Sequence, residues 1–158
     1  MRLLSMSASR WLALAIAFLS LPALGQIGAL MSEANTSVKL SLDHTQARPG
    51  DTITAAVALK SSDGWHTYWR NPGDSGLPTR LHWALPAGFV ADPIVWPHPK
   101  KLPLGPLMNF GYEGEVLHLV RLQVPANAKP GQTITLRAKA EWLVCSDVCI
   151  PEDANLTL

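Results

Sequence analysis

Cysteine is scarce in this chain: 158 residues hold two, Cys145 and Cys149, so at most one intrachain bridge can form. A net charge of +1 gives no basic surface for a polyanion and argues against a nucleic-acid partner. Beyond the N-terminal region, no apolar run approaches the roughly 20 residues a membrane helix needs. No segment sustains helical periodicity, and there is no internal repeat. The chain also lacks a G-x-S-x-G elbow, a phosphate-binding Walker loop and a dinucleotide fingerprint, which leaves hydrolase and nucleotide chemistry without support. No cofactor is called for.

The N-terminal region has the form of a secretory signal. Arg2 and Arg10 flank a charged start, Trp11–Leu21 is apolar but short, and Ala23-Leu24-Gly25 offers small residues for cleavage. Residues 1–25 are therefore expected to be a cleaved signal peptide and 26–36 a flexible leader. Cleavage after Gly25 would leave roughly 133 residues, enough for one domain with its own core. Export would place the two cysteines in an oxidising compartment, where a bridge persists.

From residue 37 to 158 the pattern is one of short strands. Ser37–Asp43 and Thr52–Leu59 alternate around the Arg48-Pro49-Gly50-Asp51 turn. Trp65–Trp69, Arg80–Ala84 and Phe89–Ala91 follow, then Glu115–Val124, and then a strand running from Ile134 into Cys145. Ala154–Leu158 reads as the start of another. Many short strands at this spacing predict an all-β, immunoglobulin-like sandwich. Trp65, Trp83 and Trp142 are read as core residues, with Trp69 and Trp96 beside turns. The proline-rich stretch Asp92–Gly114 reads as one long loop ending in Asn109-Phe110-Gly111-Tyr112-Glu113-Gly114, its aromatics either covering another part of the molecule or plugging the end of the sandwich.

The segment Trp142–Glu152 carries the chemistry. Regular alternation puts Cys145 with Arg137, Lys139 and Glu141 on the polar, accessible side of its strand, unless a bulge intervenes. Bonded cysteines need Cα atoms roughly 4.4–6.8 Å apart, and an extended chain would hold these about 13 Å apart. The chain must bend between them, and Ser146 and Asp147 are turn formers. A loop this short contributes only about 2 kcal/mol through chain entropy, so a redox site and a structural clip are equally open.

Three motifs together carry a resemblance: Gly64-Trp65-His66-Thr67-Tyr68-Trp69 with Asn71-Pro72-Gly73-Asp74-Ser75-Gly76, the Asn109–Gly114 loop, and Val144-Cys145-Ser146-Asp147-Val148-Cys149-Ile150-Pro151-Glu152. In these the chain resembles the N-terminal periplasmic domain of the DsbD/ScsB thiol:disulfide interchange (protein-disulfide reductase) family, from about Val38 to the last residue. The three-residue gap between the cysteines points to the ScsB-like branch. The resemblance implies a redox pair at Cys145 and Cys149 under an aromatic cap of Phe110 and Tyr112, shielding the reduced thiols. It also implies a thioredoxin-like electron donor, a membrane-embedded electron-transfer domain in the parent protein, and periplasmic thiol proteins as acceptors, among them disulfide isomerases or cytochrome c maturation factors.

Two other readings stand beside this one. Cys-x3-Cys also occurs in copper-binding β-sandwiches, and thiolate and imidazole are apt copper ligands. The dinuclear pattern expects a His shortly after the second Cys with a Met beyond it; here Pro151, Glu152, Asp153 and Ala154 follow. The second is a non-catalytic secreted binding module held by a structural disulfide.

Overall fold

Alternation of apolar and polar residues builds ten strands in the computed structural model, which describes residues 34–158. They are β1 (Thr36–Leu42), β2 (Thr52–Ser61), β3 (His66–Gly73), β4 (Arg80–Ala84), β5 (Val90–Ala91), β6 (Lys100–Leu104), β7 (Leu107–Glu113), β8 (Glu115–Gln123), β9 (Arg137–Cys145) and β10 (Cys149–Thr157). One sheet has the order β1-β2-β8-β5; the other has β10-β9-β3-β7-β6, with β4 also paired to β9. Every pairing is antiparallel. The two sheets make the all-β, immunoglobulin-like sandwich that the strand spacing predicts.

The period-2 pattern decides what lies between the sheets. Ile53, Ala55, Val57 and Leu59 on β2 meet Val116, Val120 and Leu122 on β8. Ala140, Trp142 and Val144 on β9, Leu156 on β10 and Tyr112 on β7 close the core from the other sheet. Leu59 and Leu122 have no exposed surface, so truncating either to Ala should cost about 2–5 kcal/mol. Trp142 is in this core, while Trp65, Trp69, Trp83 and Trp96 pack against it partly buried.

Three expectations need correction. Asp92–Gly114 is not one loop, because β6 and β7 form a hairpin within it. Leu104 pairs with Leu107 across a two-residue turn, and Gly105 (φ 58) followed by Pro106 suits a type II′ geometry. Pro103 hid the strand from the sequence pattern; the sheet accepts it because β6 is an edge. Likewise Ala154–Leu158 does not start a strand. It continues β10, which begins at Cys149 and is also an edge, where Pro151 is tolerated. Thr36, placed in the leader, is the first residue of β1 and is buried. The expected signal peptide and the rest of the leader up to residue 33 lie outside the described residues.

Candidate functional site

The β9–β10 hairpin creates the site. Its ladder pairs Cys145 directly with Cys149, leaving Ser146, Asp147 and Val148 as the connection. The Ser146 N–H donates to the Val148 carbonyl at 3.0 Å and holds the bend. The Cα atoms lie 4.1 Å apart, close to the narrow spacing of an opposed antiparallel pair, and the two sulfurs are bonded. Glu152 braces the hairpin: its carboxylate accepts from Trp142 Nε1 at 3.1 Å and from the Asn35 N–H at 2.8 Å.

Parity assigns the disulfide to the outer face of the six-stranded sheet. Val144 points into the core, so its neighbour Cys145 points away. His66 on β3 lies opposite Cys145 on one side and Glu113 of β7 on the other. Tyr68, two residues along β3, shares that face. Cys145 follows the expected parity, yet it is fully buried. Cys149 is the exposed cysteine. The partner strand and the residues around Tyr68 cover a side that sequence alternation alone marks as open.

Tyr68 connects the sulfur to an imidazole. Its hydroxyl oxygen is 3.9 Å from Cys149 Sγ and 3.3 Å from His66 Nε2. The His66 and Tyr68 rings meet edge to face, centroids 5.2 Å apart. Only 1% of Tyr68 is exposed, because the β3–β4 connection lies across its ring. Gly76 makes this possible: with φ +97, any Cβ there would meet the ring at 2.3 Å. The connection is pinned to β7. Asn109 Oδ1 accepts from the Ser75 N–H at 3.0 Å and from its hydroxyl at 3.1 Å, and Asp74 accepts from the Met108 N–H at 2.7 Å.

Electrostatics follow from this burial. Desolvation holds the His66 imidazole below the ordinary histidine value, against the pull of Glu113. Burial also pushes the Tyr68 phenol up, partly offset by its contact with Ser75. Glu113 is tied to Lys100 at 3.2 Å. Lys139, on the same parity as Cys145, is engaged by Glu141 at 2.7 Å and Asp153 at 3.8 Å, further along the hairpin.

Phe110 and Tyr112 are not brought to the disulfide. Tyr112 pairs with Thr67 and points into the core, its hydroxyl donating to the Pro97 carbonyl at 2.8 Å. Phe110 shares that parity and, with Trp69, Trp96, Pro97, His98, Pro99 and Lys101, lines a cleft of about 500 Å³. The pair expected as a cap thus stands on the opposite face of the sheet from the sulfurs. The cover beside the site is the Asp74–Leu77 segment. Its signal in the sequence was the closely spaced Gly73 and Gly76; the resemblance grouped the Gly64–Trp69 stretch with the cysteine motif, but nothing in it singled out Tyr68 or His66 as neighbours of the sulfurs. Among the described residues, no group of three His, Cys, Asp or Glu side chains is placed to hold a metal ion.

A two-sheet antiparallel sandwich with one exposed-edge hairpin disulfide defines the class. The chain belongs to the DsbD N-terminal family: the profile described as "Thiol:disulfide interchange protein DsbD, N-terminal" matches residues 38–158. Fold, bonded pair and family together place the chain among the N-terminal domains of thiol:disulfide interchange proteins. Among solved structures, the chain is similar to the N-terminal periplasmic domain of ScsB from Proteus mirabilis, with a TM-score of 0.62 and 22% identity. That match covers 82% of this chain and 48% of the other, so the chain spans about half the length of the ScsB domain. The yeast GGA1 GAE domain also matches, at TM-score 0.42 and 12% identity over 82% of this chain and 95% of that one. No curated protein matches the chain in sequence.

Proposed function

We propose that this domain carries reducing equivalents between periplasmic proteins by opening and closing the Cys145–Cys149 bond, with Cys149 as the sulfur that partners reach. The observation behind this reading is the asymmetry of the pair, Cys149 exposed and Cys145 fully buried. In the first half-reaction a thiolate of a thioredoxin-like donor attacks Cys149 Sγ. A donor–Cys149 disulfide forms, the Cys145–Cys149 bond breaks, and Cys145 leaves as a thiolate. The donor's second thiolate then attacks the donor sulfur and frees Cys149. The donor departs oxidised, and the domain has gained two electrons and two protons.

The second half-reaction runs the other way. The Cys149 thiolate attacks an acceptor disulfide, and Cys145 resolves the mixed species, so the domain is reoxidised as the acceptor is reduced. Acceptors of this chemistry are periplasmic disulfide isomerases or cytochrome c maturation factors, and a membrane-embedded domain recharges the donor. Docking has apolar ground beside the reactive sulfur: Val148 is 60% exposed and Leu77 is 59% exposed. A shallow groove of about 390 Å³ runs past Leu77, Pro78, Leu143 and Pro151.

The test is reduction of the folded domain by a thioredoxin-like protein, followed by mass spectrometry. Cys145→Ser, offered the thioredoxin-like protein in its disulfide form, should attack it through Cys149 and hold a mixed disulfide there, while Cys149→Ser should form none and lower exchange by more than about a thousandfold. A reduction potential well below about −300 mV, resistant to any such donor, would make the bond a structural clip and end this reading.

A further inference from the structure

We propose that Tyr68 and His66 form a proton relay for Cys149, in which the Tyr68 hydroxyl exchanges a proton with the sulfur and His66 stores it between half-reactions. The inference rests on the exchange reading and adds the residues that manage its protons. Exchange proceeds through the thiolate, so each half-reaction must remove or return a proton at the attacking sulfur. The Tyr68 oxygen lies 3.9 Å from that sulfur, and the His66 Nε2 lies 3.3 Å from the oxygen, in a single line of contacts.

The step balances without any outside reagent. The Cys149 S–H gives its proton to the Tyr68 oxygen as the Tyr68 O–H gives its own to His66 Nε2. One proton moves from sulfur to nitrogen, leaving thiolate and imidazolium, and tyrosine is neutral before and after. When Cys149 is the leaving group, the same path runs backwards. Burial disfavours a phenolate at Tyr68 and leaves His66 neutral before the transfer; it also disfavours the imidazolium, a cost that the Glu113 carboxylate opposite partly offsets.

The groups around the imidazole are few. On β7 Glu113 faces it, itself engaged by Lys100 of β6; on β9 it faces Cys145; on its own strand it faces Tyr68. His66 is only half-buried, so the stored proton has a route to solvent. Tyr68 is a catalytic residue in this scheme and His66 a positioning and proton-storing one. Packing alone does not account for the hydroxyl. The ring is what Gly76 lies against, and a phenylalanine would fill that space equally well.

The experiment follows the reduced domain reacting with dithionitrobenzoate across pH 5–10, for wild type, Tyr68→Phe and His66→Gln. Glutamine can still accept a hydrogen bond from Tyr68 but cannot carry the proton. Tyr68→Phe should slow the reaction at pH 7 about tenfold and move the thiol inflection up by about one unit. His66→Gln should abolish the lower, histidine-dependent inflection while melting within a few degrees of wild type. Wild-type pH profiles in both variants would overturn the relay, and His66→Gln alone decides the matter if Tyr68→Phe does not fold. A wild-type domain that shows the relay's profile but is never reduced by a thioredoxin-like donor would overturn the functional reading instead.

Discussion

The chain has two tyrosines, and each stands edge-on to a histidine, on opposite faces of the same sheet. On the outer face, Tyr68 turns its hydroxyl to a sulfur and an imidazole, with His66 half-buried and Cys149 exposed. On the inner face, Tyr112 gives its hydroxyl to the Pro97 carbonyl, and His118 is wedged between Tyr112 and Trp96, ring centroids 5.9 and 5.1 Å away. Neither nitrogen of His118 finds a hydrogen-bond partner among the described residues. The same two residue types therefore serve two purposes. Where the hydroxyl is satisfied by backbone the pair packs; where it faces a reactive atom the pair can move protons.

The largest effect should come from breaking the sealed side. Burial pushes His118 down to about 4, and the Val57 backbone, which faces the ring without reaching hydrogen-bond geometry, offsets part of this. The unfolded chain binds its proton near 6.5, so stability is lost as pH falls through 6.5 and the loss is complete below about 4. The cost is on the order of 3 kcal/mol. Urea unfolding at pH 7 and pH 4 should show that slope in wild type and not in His118→Leu; parallel curves would mean His118 is not held neutral.

On the open side, Gly76→Ala tests whether the connection holds Tyr68 in place. A Cβ at that position meets the ring, so the substitution should cost roughly 2 kcal/mol and slow exchange together. Unchanged rates with reduced stability would separate the cover from the chemistry. The smallest effect sharpens the comparison most. Tyr112→Phe leaves the Pro97 carbonyl without its donor and should cost about 1 kcal/mol, with exchange rates at wild-type level. If it slowed exchange as Tyr68→Phe is expected to, the two faces would not be independent.

The legible parts of the fold are those where one face of a strand is wet. β2 and β8 alternate plainly because their outer faces meet solvent, and the bend between the cysteines was foreseen from Ser146 and Asp147, though not the strand that resumes at Cys149. β7 resisted for the opposite reason: Asn109, Gly111 and Tyr112 are all buried, with the core on one side and the Asp74–Leu77 segment on the other. With both parities covered, nothing in the sequence said which face Phe110 and Tyr112 would take, and the expected cap fell on the wrong one. Prolines at 103 and 151 masked edge strands. The link between Tyr68 and Cys149 spans 81 positions, and only the three-dimensional register of β3 against β9 reveals it.

Nine cross-strand pairs zip β9 to β10, and the sulfur bond sits at the last of them, beside the bend. Its opening removes one rung from the end of a ladder that the backbone already holds. The oxidised and reduced domains should accordingly superimpose, and a partner arriving at this surface has no altered shape by which to tell them apart. Discrimination between the charged and discharged carrier would then rest on the sulfur atoms themselves.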